Sequence, residues 1–568
     1  MANKRTFMRS KKVDAKCLFI TTSPRSPLKM IPEISLLDEN LHGQIWNKDT
    51  QTHFYNLLRD NEFFEGSVSS DPAFSARDRI NRAPKILGFV SLPRIGLTQA
   101  GKDFVEMNDK SEVLLRQLLK FQIPSPYHPL GDNAAKFWVK PYLEILRLIY
   151  TLGELTFDEL QIFGLKLVDY RQFNSIVEKI KAFRIEKNKH KGRYKEFKER
   201  TLLSEVKETY RDELSEGKTK TRESADDSKK KFLTTKIGNL RDYSDAAVRY
   251  LRATGLINVT AIGRTLSIVV ERKKDVEFIL KNVNRNPCFV NDIEKYEDYL
   301  WNSSVPQLLT DNKNDILNKL KTDFKIIESE SKSINSLKNI LNKKIEERKE
   351  EKLKEQIYDL KKYQMYEDIE DQFDKMKSLY DPSLFFEWNT WRAMTMLDGG
   401  TIKPNLLFDD AGNPMCTAAG KMADIECEYE DFDLNVEVSL SSGALQFKME
   451  GEPIPRHIGL KKEKTHKETF GFFIAPTINE ATVAHFYSLY SSNIQMYGGK
   501  CCIIPMTLSV FRGMLKKAYN SKTKPCSEDI KILFEKSKKY VKECVVNDLT
   551  EKDWYLKITE DLDNWLST

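Results

Sequence analysis

Two acidic residues, Asp424 and Glu437, lie in a stretch whose pattern should bring them together. Residues 423–429 and residues 434–440 each alternate between polar and apolar side chains. Two such runs around the polar residues 430–431 predict a β-hairpin. If the turn is centred between residues 430 and 431, Asp424 and Glu437 are directly opposed on one face, with Cβ atoms about 4.5–5.5 Å apart.

Two carboxylates at that separation suit the binding of a divalent cation, because like charges so close repel unless something positive lies between them. Hard oxygen ligands favour Mg²⁺, so we predict a magnesium site formed by Asp424, Glu437 and the backbone carbonyl oxygen of Val438. Such a site can activate water and neutralise charge during phosphodiester hydrolysis. The alternative for the pair alone is that both acids are solvated on the outer face of a strand.

The residues after the hairpin are predicted to return more polar side chains to the strand ends. The alternation stops after residue 440, and Ser441 is a candidate N-cap for a short helix through Met449. That helix would carry Gln446, Lys448 and Glu450 back towards the acidic pair.

A strand carrying Asp, a second strand carrying Glu and then a helix is the skeleton of the PD-(D/E)xK nucleases. Here Asp424 and Glu437 follow that order, but Ser439 stands where the usual Lys would be. The segments FEWNTW (386–391), AGKMADIECEYEDF, EVSLSSGALQFKMEGEPIPRH and FIAPTIN closely resemble the AlwI family. That family comprises type IIS restriction endonucleases and their strand-specific nicking relatives, in which the Lys position is also not Lys.

The resemblance implies roles for further residues. Glu450 would orient water or bind a second metal, and Glu387, which matches the family's FEW, would be a supporting acid near the metals. His457 matches a family His after the EP turn, and Lys448 is a candidate replacement for the missing Lys. The alternatives are an ordinary acid in the first turn of a helix for Glu387, a hydrogen-bonded structural His457 and a packed surface Lys448.

Composition limits the class of protein. With 568 residues, two to four domains are expected, and 40% hydrophobic with 31% charged residues indicates a soluble globular chain. The net charge of +7 is mild, so a nucleic-acid partner has to be argued from local patches. No apolar run approaches membrane-spanning length. The eight scattered cysteines indicate free thiols in a reducing cytoplasm, and zinc is not expected.

Residues 1–135 are predicted to form a first DNA-recognition subdomain. Residues 92–102 resemble the wing of a winged helix, with a turn at Gly96. Arginine pairs with guanine, and an aspartate can accept from cytosine or hold a neighbouring arginine in place. The predicted DNA-contacting residues of this segment are Arg25, Arg77, Asp78, Arg79 and Lys85, in a cluster that also contains Arg82. The alternative is that the charge run is a solvated helix face.

Residues 136–284 are predicted to form a second winged-helix-like subdomain. Residues 142–152 have helical spacing, and residues 236–269 predict a helix, a stop at Gly255 and two strands joined at Gly263. Three arginines of this helix, Arg241, Arg249 and Arg252, are expected to contact phosphates, with base contacts possible but unassigned.

The rest of the chain is divided into a helical linker, residues 285–378, and a catalytic domain, residues 379–568. In the linker, Leu337, Ile340, Leu341 and Ile345 form the apolar stripe of a packed helical hairpin or spacer. Apolar runs at residues 471–475 and 501–504 predict buried strands that alternate with helices at 480–490 and 509–519. The expected fold class is therefore α+β multidomain, with a central mixed sheet flanked by helices in the catalytic domain.

Together these features predict a Mg²⁺-dependent, sequence-specific type IIS DNA endonuclease of the prokaryotic cytoplasm, with Mn²⁺ able to substitute. Its partner is double-stranded DNA, which it would cut or nick a few nucleotides outside a short asymmetric site. One catalytic domain cuts one strand, so double-strand cleavage would need a transient homodimer or a small partner subunit. The family also implies a companion methyltransferase. The alternatives are a non-catalytic DNA-binding regulator with a retired nuclease domain and a structure-specific repair nuclease.

Overall fold

A computed structural model describes residues 12–24, 26–61, 63, 69–107, 109–190, 192–260, 264–397, 400–417 and 422–566. The chain divides into two compact units. The first comprises residues 1–346 together with 409–411, and the second comprises residues 347–408 and 412–568. The boundary after residue 346 falls inside the predicted helical linker. The four-segment division stays a prediction.

The first unit is mostly helical, with two small antiparallel sheets, β1–β2 and β3–β5–β4. Its elements are α1 (Met30–Leu41), α2 (Lys48–Asp60), α3 (Pro72–Asn81), α4 (Ala83–Ile86), β1 (Val90–Ser91), β2 (Gly96–Leu97), α5 (Gln99–Glu106), α6 (Lys110–Lys120), α7 (Pro141–Leu152), β3 (Glu154–Thr156), α8 (Phe157–Ile162), α9 (Phe173–Lys189), α10 (Tyr194–Thr209), α11 (Arg211–Glu216), α12 (Lys229–Arg252), β4 (Ile257–Val259), β5 (Thr265–Ile268), α13 (Lys273–Asn282), α14 (Ile293–Trp301), α15 (Lys313–Phe324) and the start of α16 (Ile334–Lys361).

Several helices of this unit begin where the sequence supplies a capping side chain. Asn47 accepts from the backbone at the start of α2, and Thr156 forms a capping box with Glu159 at the start of α8. The helix predicted from the spacing of residues 142–152 is α7. The predicted apolar stripe of the linker is confirmed, because its residues on α16 pack against α15. The predicted turn at Gly263 lies outside the described residues.

The second unit is built around a five-stranded mixed sheet with the order β12–β11–β10–β9–β6. Its elements are the rest of α16, α17 (Tyr366–Asp374), α18 (Pro382–Met396), β6 (Thr401–Pro404), β7 (Leu406–Phe408), β8 (Pro414–Thr417), β9 (Ile425–Glu428), β10 (Phe432–Val438), α19 (Ala444–Glu450), α20 (Pro453–Thr465), β11 (Glu468–Ala475), α21 (Glu480–Leu489), β12 (Ile503–Thr507), α22 (Leu508–Asn520), α23 (Ser527–Val546) and α24 (Glu551–Asp563). Strands β10, β11 and β12 are parallel, and β9 is antiparallel to both β10 and β6. The prediction of a mixed sheet is therefore confirmed.

The two faces of this sheet are covered by different helices. On one face, Phe470 and Phe472 of β11 stack on Phe534 of α23, with ring centroids 4.4 and 4.9 Å away. On the other face, Ile454 and Ile458 of α20 enter a buried apolar cluster with β11, β12 and α21. Helix α20 also covers the polar side of β9 and β10, which is where the acidic residues lie.

Two local predictions in this unit need correction. Helix α19 begins at Ala444, with Gly443 rather than Ser441 at its N-cap, and Gly443 has a φ of +60° that favours glycine. Strand β12 begins at Ile503, so Cys501 and Cys502 precede the strand instead of forming its start.

In the described part of the chain, no helix has the length and apolar character of a membrane span. All eight cysteines are free thiols, as expected.

Candidate active site

The predicted hairpin and its register are both present. Strand β9 pairs with β10 so that Val436 faces Ile425, and one further step in the same register sets Glu437 opposite Asp424. The backbone N–H of Val438 donates to Oδ2 of Asp424 over 2.9 Å, and the N–H of Asp424 lies 3.4 Å from Oε2 of Glu437. The two carboxyl groups therefore meet where the hairpin strands end.

His457 reaches this pair from helix α20. Its Nδ1 atom lies 2.7 Å from Oε1 of Glu437, and both side chains are largely buried. This contact fixes one oxygen of Glu437 and leaves the other facing Asp424.

The electrostatic setting favours protons on the two acids when no cation is present. Burial, together with the negative charge of Glu450, raises the pKa of Glu437 to about 8. Burial and the neighbouring Glu437 carboxylate raise the pKa of Asp424 well above its usual range, while the Val438 N–H acts in the opposite direction. The guanidinium of Arg456 also opposes the rise in the pKa of Glu437.

A buried lysine holds α20 against strand β9. Nζ of Lys461 donates to Oε2 of Glu426 over 2.6 Å and to Oε1 of Glu428 over 2.9 Å. The other oxygen of Glu428 accepts from Lys403 of β6 over 2.6 Å. Since Lys461 follows His457 by one helical turn, both project from the same side of α20. Lys461 was not among the predicted site residues, because it lies in an ordinary charge run.

Gln446, whose role was left open, joins two loops at the ends of the parallel strands. Its amide nitrogen donates to the carbonyl oxygens of Ser441 and Thr477 over 3.0 and 2.8 Å, and its Oε1 accepts from the N–H of Asn479 over 2.8 Å. The side chain is fully buried. Gln446 thereby fixes the loop after β10 to the loop after β11.

The donor set fits a hard divalent cation. Two carboxyl groups whose charges are suppressed by burial and by each other would regain their ionised form around a positive ion. In the part of the chain that the structure describes, no three His, Cys, Asp or Glu side chains form a metal-binding cluster. Mg²⁺ is commonly bound through one or two carboxylates and completes its shell with water and substrate oxygens. Two opposed carboxylates are a donor set that fits this mode of binding.

Ser439, which occupies the position of the missing motif lysine, and the remaining predicted catalytic residues lie at different depths. Ser439 is buried, and its Oγ accepts from the N–H of Ser441 over 3.0 Å, so its hydroxyl forms part of the turn after β10. Lys448 is exposed on α19, and Glu450 is half-buried at the end of the same helix. Glu387 is half-buried on α18. The catalytic roles of Lys448, Glu450 and Glu387 stay predictions.

Two of the arginines predicted to contact DNA are exposed in the first unit. The guanidinium of Arg77 lies over the ring of Phe74, 5.2 Å from its centroid. Arg241 is 68% exposed and lies 3.4 Å from Asp242. Asp78 accepts from Nε of Arg82 over 2.8 Å, which is the arginine-holding role that the sequence suggested for this aspartate.

The other described residues of that set have internal contacts. Arg79 pairs with the fully buried Glu33, and Lys85 lies over the Tyr127 ring with a pKa lowered by burial. Arg249 and Arg252 were expected to contact phosphates, but both are buried at the end of α12. Arg25 lies outside the described residues.

A buried carboxylate pair contacted by a histidine, at the end of the central strand of a mixed sheet, is suited to metal-assisted hydrolysis, and basic side chains in the other unit suit a polyanionic substrate. The family profile described as AlwI restriction endonuclease matches residues 86–514. This match covers about three quarters of the chain, so the protein belongs to the AlwI restriction endonuclease family and is a DNA endonuclease, as the sequence motifs indicated.

Two solved structures are similar to parts of the chain. The small subunit R.BspD6I2 of the heterodimeric restriction endonuclease R.BspD6I shares 25% identity over 34% of this chain and 97% of its own, with a TM-score of 0.29. The BpuJ1 endonuclease binding domain, in complex with pyrene- and phenanthrene-modified DNA, shares 14% identity over 50% of this chain and 96% of its own, with a TM-score of 0.35. No curated protein sequence matches the chain.

Proposed function

We propose that this protein is a Mg²⁺-dependent, sequence-specific endonuclease of type IIS with a PD-(D/E)xK-like site. It binds a short asymmetric duplex site and hydrolyses one phosphodiester a few nucleotides outside it. The observation that carries the proposal is the opposed, buried pair of Asp424 and Glu437 in a chain of the AlwI family. Mn²⁺ is expected to substitute for Mg²⁺, because it also accepts oxygen ligands.

Asp424, Glu437 and the carbonyl oxygen of Val438 would hold the cation. When bound, Mg²⁺ supplies charge neutralisation at the phosphate and lowers the pKa of a bound water. His457 keeps Oε1 of Glu437 in place, so that the ligand orientation does not depend on the cation alone. Glu450 lies close enough to raise the pKa of Glu437, and from there it would orient the attacking water and accept its proton.

DNA recognition is assigned to the first unit. The order α7–β3–α8, then α12–β4–β5, with the three strands in one sheet, supports a winged-helix-like subdomain. The hairpin β1–β2 supports a second, smaller wing, but its turn is at residues 92–95 and not at Gly96, which lies in β2, and residues 99–102 belong to α5. Of the predicted contacts, Arg77 and Arg241 have the exposure that phosphate or base contacts require, and Asp78 acts by holding Arg82. A helical spacer between a reading unit and a cutting unit would account for cleavage at a fixed offset.

One nuclease unit is expected to cut one strand. Double-strand cleavage then requires either two copies that associate transiently on DNA or a small partner subunit with its own site. The protein would act beside a companion methyltransferase in a prokaryotic cytoplasm, as the family resemblance implies.

Cleavage of supercoiled plasmid by the purified protein in Mg²⁺ tests this proposal. The wild type should produce open circles or linear molecules whose sequenced ends lie at one distance from a shared short sequence. Asp424→Asn should bind the same DNA without cutting it. Asp431→Asn is the matched control, because Asp431 lies in the turn of the same hairpin with its side chain 71% exposed.

The outcomes separate the proposal from its alternatives. Site-specific binding without cleavage in Mg²⁺ or Mn²⁺ would identify a DNA-binding regulator instead. Cleavage confined to forks or flaps would identify a repair nuclease. The ratio of open circles to linear molecules distinguishes a nicking enzyme from a double-strand cutter.

A further inference from the structure

The first unit contains a cavity of about 300 Å³ to which both predicted DNA-recognition segments contribute. Its walls include residues 19–22, Arg82 directly after α3, Arg222 before α12, and residues of α12 itself. At about 300 Å³ it is at the small end of the range for ligand pockets, which suits a single ring system. The cavity is separate from the carboxylate site of the second unit.

One part of the wall is aromatic and aliphatic. Phe19 and Phe121 both line the cavity, and each packs edge-on against the buried His128, with ring centroids 5.4 and 5.6 Å apart. Both rings are held by packing against His128; Phe121 is buried, so Phe19 offers most of the fixed apolar surface. A flat ring gains from such surface by stacking or edge contact, whereas a lone phosphate would not.

The other part of the wall carries hydrogen-bonding groups. Arg82 is oriented by Asp78 through its Nε, and Arg222, Asn239 and Tyr243 also line the cavity. Among the described residues, the side chains of Arg222 and Asn239 have no hydrogen-bond partner. Their donor and acceptor groups are therefore available to a ligand. One carboxylate, that of Asp242, also lines the cavity, but Arg241 lies 3.4 Å from it, so the two lining arginines favour a ligand that carries negative charge.

An exposed aromatic side chain stands on the helix that leads to the cavity. Phe74 is 50% exposed and lies on α3, with the guanidinium of Arg77 over its ring. Residues 74, 78 and 82 are spaced at helical intervals of four, so Phe74 follows the same side of α3 as the Asp78–Arg82 pair. In DNA-binding proteins, apolar side chains such as Phe insert between base steps and partly unstack them.

We propose that the cavity receives one unstacked nucleotide of the target DNA, with its base against Phe19 and Phe121, its polar edge on Asn239 and Tyr243, and its phosphate near Arg82 and Arg222. Phe74 fills the space that the base leaves in the duplex. The ligand class is a nucleotide, since it alone combines flat apolar faces, polar edges and an anionic group matching this wall. This inference rests on the proposed function, because it requires the first unit to bind duplex DNA.

The test uses duplexes that contain the cleavage-mapped recognition sequence with 2-aminopurine at one position at a time, bound to the full-length protein in Ca²⁺ to prevent cutting. We expect a severalfold rise in fluorescence at one position only. Asn239→Ala and Arg222→Ala should each reduce that rise severalfold while nonspecific DNA binding is kept. Arg211→Ala, an exposed arginine of the same unit that does not line the cavity, is the matched control.

Phe74→Ala tests whether Phe74 fills the space that the displaced base leaves in the duplex. Tyr358→Ala is its control, since Tyr358 is an aromatic residue on α16 that is 59% exposed. Phe74→Ala should lower the fluorescence rise and leave the cavity intact, whereas Tyr358→Ala should leave the signal unchanged. If the wild type cleaves at its site but no position becomes fluorescent, the inference is overturned and the proposed function stands. If neither site-specific binding nor cleavage occurs, the proposed function fails first. Calorimetric binding of free deoxynucleoside monophosphates without any fluorescence rise would overturn DNA as the source of the nucleotide.

Discussion

Replacing Glu437 by glutamine should change how stability depends on pH when no divalent cation is present. The pKa of Glu437 in the folded protein is about 8, against an ordinary value of 4.5. Because the folded pKa is raised, the protonated carboxyl stabilises the fold fully below pH 4.5, and this contribution is lost as the pH rises towards 8. The Glu437→Gln variant carries a neutral side chain of the same shape and should not show this loss.

The size of the effect follows from the pKa difference. A rise from 4.5 to about 8 corresponds to about 5 kcal/mol at 1.36 kcal/mol per pKa unit. For a unit of about 200 residues, 1 kcal/mol moves the melting temperature by about 2–4 °C, so the two proteins should diverge by on the order of 10 °C. The divergence should grow between about pH 5 and about pH 8, with the variant more stable at the alkaline end.

Scanning calorimetry in EDTA across this pH range is the appropriate measurement. Glu430→Gln is the matched control, because Glu430 is an exposed acid in the turn of the same hairpin, and it should follow the wild-type profile. Adding Mg²⁺ should raise the wild-type melting temperature at alkaline pH far more than that of Glu437→Gln, since bound ligand stabilises the state that binds it. If the wild type and Glu437→Gln lose stability in parallel, the argument from a buried, uncompensated carboxyl is refuted.

Three further predictions concern packing and loop geometry. Lys461→Met should destabilise the second unit by about 3–5 kcal/mol in urea unfolding, because it strands the buried Glu426, and adding Glu426→Gln should restore much of that loss. Gln446→Ala should cost about 1–3 kcal/mol and slow single-turnover cleavage without weakening DNA binding, since it frees two loops beside the site. Gly101→Ala should lower the melting temperature, because the added Cβ would lie 2.0 Å from the backbone carbonyl oxygen of Phe89. By contrast, a Cβ at position 238 meets no atom within 4 Å, so Gly238→Ala should stabilise helix α12 by about 0.5–1 kcal/mol.

The hairpin could be predicted because all of its determinants are local. Alternation fixes which side chains share a face, and a polar turn of known position fixes the register. Asp424 and Glu437 follow from those two facts, and the structure places them as the pattern indicated. Helices α21 and α22 were also predicted from spacing, whereas α20, which carries His457, was not predicted. The positions at which helices begin are harder to predict, as the shift of the N-cap of α19 from the predicted Ser441 to Gly443 illustrates.

The arginines of α12 show that the exposure of a charged residue on a helix cannot be predicted from the local sequence. Arg241 and Arg252 lie on the same helix, but the first is exposed and the second is buried. The difference arises because other elements of the unit enclose the last two turns of the helix, where Ala246 and Ala247 allow close packing. A charge on a helix does not reveal whether the surrounding fold encloses it, so exposure had to come from the structure.

The burial of Lys461 also could not be predicted from the local sequence, and it bears on metal binding at the candidate active site. In the sequence it is one of several lysines in a charged stretch, and nothing distinguishes it from Lys462 beside it. In the fold it is buried and binds β9, while His457 one turn earlier binds β10, so a single helix holds both strands that carry the carboxyl pair. The distance between Asp424 and Glu437 therefore depends on how α20 is docked as well as on the hairpin. A substitution at Lys461 should consequently weaken Mg²⁺ binding in addition to stability, even though Lys461 does not contact either carboxyl group of the pair.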